Sequence, residues 1–381
     1  MTKNKMMLRM SLLCLLFLTI AIQCSDSDED PDISWMIGPF EKLDAENPIM
    51  GPTDTLQFHC PILDSVIGWS EKDLFNPAAI VRNDTIMMIF RAEDVIGKHH
   101  GTSRLGLAKS SDGYTFKALD EPILFPEHDS MFMYEWEGGI EDPRVVERED
   151  GLYVMTYTAY DGDRARLCVA SSSDLKQWTK HGLVLGPTHE DTWSKAGAIV
   201  CAMKGDRLIA KKIQDKYWLY WGDKHIYACT SSDLIHWEPV VSKDGKLHIV
   251  FGPRKGYFDS DLVEPGPSPL YTDKGIVLMY NSRNAQVLGD PDLPPFTYSA
   301  GQILFSANNP LEVLDRTNTN FLRPEKSYEI SGQIDQVVFI QGLVAHHGKW
   351  WLYYGTADSK IAVASSIISD GKGNDPEPSA L

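Results

Sequence analysis

Charged and amide side chains recur where short β-branched and aromatic runs begin: Asn76, Glu141 with Asp142, Lys195, Glu264, and Asp335 with Gln336. The turns that leave the next run supply Arg91, Glu93, Asp94, Asp161, Asp223, Asn281 and Asp358. A lone polar residue at a strand end is ordinarily a turn cap or a solvated loop. Repetition weakens that explanation here, because a turn uses Asn, Asp or Gly and has no use for Lys195 or Glu264. Carboxylates brought from different elements to one pocket are what cleavage of a glycosidic bond requires. One carboxylic acid protonates the leaving oxygen and a second activates the nucleophile on the opposite sugar face, with about 6.5–9.5 Å between the carboxyl groups when the configuration inverts. Tyr160, Trp136, Trp193 and Trp221 could stack on the apolar face of a sugar ring, although most tryptophans pack between layers.

The elements that must position these residues come from a repeat. Segments 105–116, 167–178 and 226–237 read alike, each an alternating strand followed by a Ser-Ser-Asp turn, ending at Asp112, Asp174 and Asp233, and then an aromatic residue. Degenerate copies lie around 301–310 and 361–365. Upstream of each is an aromatic and β-branched strand, at 85–90, 152–159, 217–221, 276–280 and 350–354, and upstream again a strand opened by the polar residues above. Copies recurring at about 60 to 70 residues with no amphipathic helix between them predict an all-β chain folded as a five-bladed β-propeller. In such a ring the innermost strand of every blade faces the central channel, so the polar starts converge on one mouth. The ring is expected over residues 35–370 as one domain, with a disordered Pro-rich and polar tail at 371–381.

Composition narrows the partners. With 36 basic and 53 acidic residues in 381, the formal charge of −17 argues against nucleic acid and against an anionic membrane face, and favours a neutral substrate. Lys3, Lys5 and Arg9 precede an apolar run at 10–22. It is shorter than the roughly 20 residues that span a bilayer, and it suits a secretory signal. The acidic stretch after Cys24 makes residues 1–24 resemble a bacterial lipoprotein signal, with Cys24 as the lipidated residue and 25–34 as an acidic tether. The expected location is therefore the outer membrane, cell surface or periplasm, with a lipid anchor as the sole membrane contact. Cys60, Cys168, Cys201 and Cys229 have no zinc-site spacing and are expected as buried free thiols. His99-His100 and His346-His347 are expected in solvated loops, and Asp161-Gly-Asp163 lacks the further ligands of a calcium loop, so no metal or cofactor is predicted.

Four runs, 76–94, 139–160, 324–339 and 352–364, resemble glycoside hydrolase family 130, the β-mannoside phosphorylases and β-mannosidases. The most specific is Glu141-Asp142-Pro143-Arg144 followed by Tyr157-Thr158-Ala159-Tyr160. The resemblance implies that Asp142 is a general acid working through a substrate hydroxyl, and that Asn76, Arg91, Arg144 and Asp358 line the mannose-binding and phosphate end of the pocket. The residues alone leave a second role open for Arg91 and Arg144, as ion-pair partners of Glu141, Glu93 and Asp94.

Phosphorolysis needs cationic donors for phosphate, and hydrolysis needs a carboxylate base for water. Where the phosphorylases carry a Gly-rich stretch, this chain reads Asp261-Leu-Val-Glu264-Pro-Gly, so Glu264 is the expected base and Asp223 a second candidate. Lys195, Lys211 and Lys212 fall near the phosphate ligands of the phosphorylases and keep that activity in view. Export favours hydrolysis, because a sugar phosphate made outside the cytoplasm needs its own importer. The expectation is an inverting β-mannosidase that releases mannose from mannose-containing oligosaccharides with β-1,2 linkages of mannan type, with Lys195 and Tyr160 among its substrate-binding residues. A phosphorylase is the first alternative. A non-catalytic glycan-binding propeller is the other, and in it Asp142 and Glu264 need not face each other.

Overall fold

The computed structural model describes residues 34–99 and 101–368. The signal, Cys24, almost all of the acidic tether, His100 and the tail lie outside the described residues. Trp35 onward forms one compact unit. Its described residues are nearly all β, with two single-turn helices, Phe132–Glu135 and Ser327–Ile330.

The strands fall into five antiparallel units. In unit one, Asp73–Arg82 pairs Thr85–Glu93, which pairs Ser103–Ser110. Unit two repeats this with Gly139–Glu147, Tyr153–Tyr160 and Ala165–Ser172. Unit four uses Leu262–Pro265, Ile276–Arg283 and Tyr298–Phe305, and unit five Val338–His346, Lys349–Thr356 and Lys360–Ile367. A short outer strand follows in units one, two and four. In unit five that place is taken from the N-terminal side, where Glu41 pairs Ser365 and Lys42 pairs Ala364.

Unit three departs from the expected pattern. Its first strand is only Ala198–Ile199 against Lys216–Trp221. The chain then leaves as a hairpin, Cys201–Lys204 with Arg207–Ala210. That hairpin reaches unit two through Ile209 and Glu147, and unit four through Cys201 and Leu270.

The Ser-x-Asp turns form as the repeat predicts. Ser110, Ser172 and Ser231 each donate a hydroxyl proton to Asp112, Asp174 and Asp233, at 2.8, 3.0 and 3.1 Å. The next residue must adopt a left-handed conformation. Gly113 does so freely, whereas Leu175 and Leu234 sit at φ 68° and 73°. That conformation costs a non-glycine residue about 1 kcal/mol, which full burial of both leucines offsets.

The long first strands of units one, two and five are buried on both faces along almost their whole length. Shared cores join neighbouring units. Ile80 and Leu107 pack with Ile140 and Met155, and Tyr220 and Ile226 with Val263 and Ile303. A third core combines Met88 and Phe90 of unit one with Val344 and Tyr353 of unit five. A fourth runs through units two to five, from Val146 and Leu167 to Leu343 and Leu352. Cys60, Cys168, Cys201 and Cys229 are free and buried in these layers, as expected.

Candidate active site

The starts of the first strands are built to turn one polar side chain inward. Asn76 and Asp142 both adopt left-handed backbone, φ 47° and 48°, a conformation that Asn and Asp tolerate best among non-glycine residues. Both sit in β-bulges, between Phe75 and Ala78 and between Glu141 and Arg144. A bulge re-aims a side chain that strict alternation would send elsewhere. The result is a direct contact between units one and two, Asn76 Nδ2 donating to Asp142 Oδ1 at 2.9 Å. Below the bulges, Gln341 of unit five donates to the carbonyls of Asn76 at 2.8 Å and Pro143 at 2.7 Å. Position 355 must be glycine for the same packing, since a Cβ there would come within 2.4 Å of Asn76 Oδ1.

Asn76, Arg91, Asp142, Lys195, Glu264 and Asp358 line one cavity of about 140 Å³, together with Tyr298, Phe339, Ile334 and Val337. Larger surface depressions exist, one of about 540 Å³ beside Phe40 and Arg323, but none collects buried carboxylates in this way. Lys195 is the hinge of the arrangement. Its Nζ stands 3.9 Å from Asp142 Oδ2 and 3.5 Å from Glu264 Oε1. These two oxygens are therefore no more than about 7.4 Å apart, which brings carboxyl groups of units two and four to one ammonium in one cavity. Arg91 gathers the other side, donating to Glu93 at 2.6 Å, Glu141 at 2.9 Å and Asp142 at 3.3 Å, over the ring of Phe75. Glu264 is only 3% exposed and its Oε1 makes no hydrogen bond, the Lys195 ammonium at 3.5 Å being its charged neighbour. A buried acceptor left free in this way is costly unless a ligand completes it.

Burial and neighbouring charge move the carboxyls in opposite directions. Burial is the largest influence on Glu264 and outweighs Lys195 and Arg144, raising it to about 7. Asp358 is likewise raised to about 7, by burial against the opposing pull of Arg91, and burial raises Glu141 as well. At Asp142 burial also pushes upward, but Arg91, Lys195 and the Asn76 hydrogen bond together hold it below its ordinary value. Lys195 and Arg91 are both held more firmly charged by these carboxylates, despite burial.

Several expected residues stand elsewhere. Arg144 is buried away from the cavity, because its guanidinium donates to the carbonyls of Gly266 at 2.8 Å, Pro265 at 2.5 Å and Asp142 at 3.3 Å. It clamps unit four to unit two and lines no substrate space. Asn281 is also structural, exchanging hydrogen bonds with the Ile340 backbone at 2.9 and 2.7 Å. Asp223 lies outside the cavity lining and accepts the Trp193 indole N–H at 2.7 Å, although its charge still reaches Lys195 and Glu264. Tyr160 turns its hydroxyl to the Gly162 carbonyl at 2.8 Å. Trp221 is core, stacked on Tyr227. Lys211 and Lys212 lie over the rings of Tyr271 and Tyr217, and neither lines the cavity. His346 is buried, contrary to the expectation of a solvated pair. The inward aromatics are Tyr298 and Phe339, not singled out from the sequence. Tyr298 could have been found by extending the degenerate fourth repeat three residues upstream.

The family model described as β-1,4-mannooligosaccharide phosphorylase, for glycoside hydrolase family 130, matches residues 64–370. A 1,2-β-oligomannan phosphorylase of Thermoanaerobacter sp. (strain X514) is 32% identical over 80% of this chain and 93% of its own. A glycosyl hydrolase from Bacteroides ovatus superposes with TM-score 0.85 at 45% identity, covering 87% of this chain and 94% of that one. A structure solved in work on glycoside hydrolases of the GH130 mannoside phosphorylases that target β-1,2 mannosidic linkages in Candida mannan gives TM-score 0.86 at 43% identity, over 92% and 99%.

Proposed function

The chain belongs to glycoside hydrolase family 130, whose members act on mannosides, and from that premise we propose that it hydrolyses β-mannosides, releasing mannose from β-1,2-linked, mannan-type oligosaccharides with inversion. One observation carries the choice of water as nucleophile. Glu264 holds a buried carboxylate oxygen in the cavity that makes no hydrogen bond and has the Lys195 ammonium 3.5 Å away, where a phosphate dianion would meet repulsion and a water would meet a base. The site cations give the same support: Arg91 and Lys195 are engaged by carboxylates, and Arg144 by carbonyls.

In this reading Glu264 is the base, and it is competent once ionised, above about pH 7. Asp142 is the acid and works through a sugar hydroxyl. In the free site neighbouring charge holds it ionised, so in the reactive form, with Glu264 charged, the proton it delivers must be carried by Asp358, which also titrates at about 7. Asn76, Arg91 and Asp358 hold the terminal mannose, with Tyr298 and Phe339 offering it apolar faces.

We also read the five units as the blades of a propeller. The shared cores run from unit to unit and back from five to one, and the Glu41–Lys42 strand completes unit five, a device that ties the two ends of a ring together. Export as a Cys24 lipoprotein remains part of the proposal and fits an enzyme that meets polymeric glycan outside the cell.

The curated relatives favour a second reading, phosphorolysis, since the matching proteins are a 1,2-β-oligomannan phosphorylase and β-1,2-mannobiose phosphorylases. Incubation with β-1,2-mannobiose, with and without inorganic phosphate, separates the two. Hydrolysis gives mannose at the same rate in both arms, with the α-anomer formed first by NMR. Mannose 1-phosphate formed only with phosphate overturns the hydrolase reading, and no turnover of any β-mannoside overturns both in favour of a glycan binder.

A further inference from the structure

The hairpin turns at the other ends of units one and five bring three metal-ligand side chains together. Asp84 lies in the turn after Asp73–Arg82, His346 ends Val338–His346, and His347 follows it. His347 Nε2 is 2.8 Å from Asp84 Oδ1, and His346 Nε2 is 3.2 Å from the same oxygen and 3.3 Å from the Asp84 carbonyl. All three donor atoms lie within 4.8 Å of one another. Tetrahedral ligands at zinc bond lengths of about 2.0–2.2 Å stand roughly 3.3 Å apart, so small side-chain movements close the set around one ion.

Three features set this group apart from a chance surface cluster. His346 is 1% exposed and stacked on His347, with ring centroids 3.8 Å apart, so one ligand is held in place by packing. The turn residues Asn83 and Asp84 adopt φ 49° and 56°. A two-residue turn of that hand is best served by glycine in second place, yet the carboxylate that meets both imidazoles stands there. Access is open, since Asp84 borders a depression of about 490 Å³ that also has Glu147 and Asp206 on its walls.

We infer that Asp84, His346 and His347 form a binding site for a divalent transition metal of the zinc class, which clasps unit five to unit one. Two imidazoles and one carboxylate are borderline donors that suit Zn²⁺, Ni²⁺ or Cu²⁺, and are too few and too nitrogen-rich for Mg²⁺ or Ca²⁺. A water or the Asp84 carbonyl completes the coordination. The site is structural and distant from the sugar cavity, because Asn76 and Asp84 stand near opposite ends of one strand, on the order of 25 Å apart. The inference does not depend on the proposed reaction.

The test is calorimetric titration of the chelator-treated full chain with Zn²⁺. One equivalent should bind, and zinc should raise the thermal midpoint of the wild type, since a ligand of the native state stabilises by mass action. Asp84→Asn and His347→Ala should each weaken binding roughly tenfold or more and abolish the midpoint shift, with mannoside turnover unchanged. Both replacements are at exposed positions, so folding is preserved while the buried His346 stays in place. Absence of zinc binding by the wild type, zinc binding retained by both variants, or an equal response to Mg²⁺ would each overturn the site.

Discussion

Replacing Glu264 by Gln should lower turnover and raise stability together, a pair of effects that a residue of purely structural value would not give. The cavity keeps its shape, and Lys195 keeps Asp142 as a partner at 3.9 Å. What is lost is the basic oxygen. General-base catalysis is worth about 10²–10⁴ in rate, or roughly 3–5 kcal/mol of barrier, so kcat on β-1,2-mannobiose should fall by that factor. The stability change follows from burial, which raises the Glu264 carboxyl from 4.5 to about 7. Its folded pKa lies above its unfolded one, so the folded chain binds that proton more tightly. Stability therefore drops as pH rises from 4.5 to about 7, by on the order of 3 kcal/mol. The Gln variant escapes this loss: urea unfolding should show little difference from wild type near pH 4.5 and a gain of that order above pH 7. The same ionisation shapes the kinetics. Wild-type kcat/KM should fall tenfold per unit below about pH 7, and that limb should vanish in the variant. Azide, a nucleophile that needs no base, should restore turnover and give the α-mannosyl azide. Activity within tenfold of wild type, or an unchanged acid limb, would refute Glu264 as the base.

Lys195→Met removes the cation that opposes burial at Glu264, so the acid limb of kcat/KM should move to higher pH by about one unit or more. A limb that stays in place would mean that Lys195 does not control the base. Arg144→Met strips donors from the Asp142, Pro265 and Gly266 carbonyls and should destabilise the fold by about 1–3 kcal/mol for a buried acceptor left unsatisfied, read as a lower urea midpoint. Were Arg144 a substrate ligand instead, KM would rise with the midpoint unchanged.

The five units were legible because each carries an aromatic strand and three of them a Ser-x-Asp turn, local chemistry that folds the same way wherever it occurs. The short first strand of unit three was not, since nothing in 195–200 announces that the chain departs to pair with units two and four. At the site, Asn76, Asp142, Lys195 and Glu264 could be found from their recurrence at strand starts. The resemblance put Arg144 at the pocket while the residues alone left a structural role open. The bulge between Glu141 and Arg144 parts it from Asp142, which lines the cavity, and its guanidinium lies among carbonyls. Asp223 was diverted by an indole N–H from a loop 30 residues away, a contact that no spacing encodes. His346 was masked by its neighbour, because adjacent residues on a turn divide between core and solvent only once the hairpin is packed.

The acidic composition acquires a specific meaning in the cavity. Arg91 and Lys195 face Asp142, Glu264 and Asp358 directly, with Glu93 and Glu141 on the far side of Arg91. The arginine and lysine are both held charged, and Glu93 is held ionised by Arg91 and Lys72 against burial, at about 2. The remaining balance is set by Glu264 and Asp358, which carry protons below about pH 7 and charge above it, together with Glu141, likewise raised by burial. A phosphate dianion entering above that point adds negative charge to a site already in excess, whereas water adds none and finds its base ionised. In the proposed hydrolase reading, the protonation that would make room for phosphate is the one that disables the hydrolytic base, so the same carboxyls would oppose one nucleophile and serve the other.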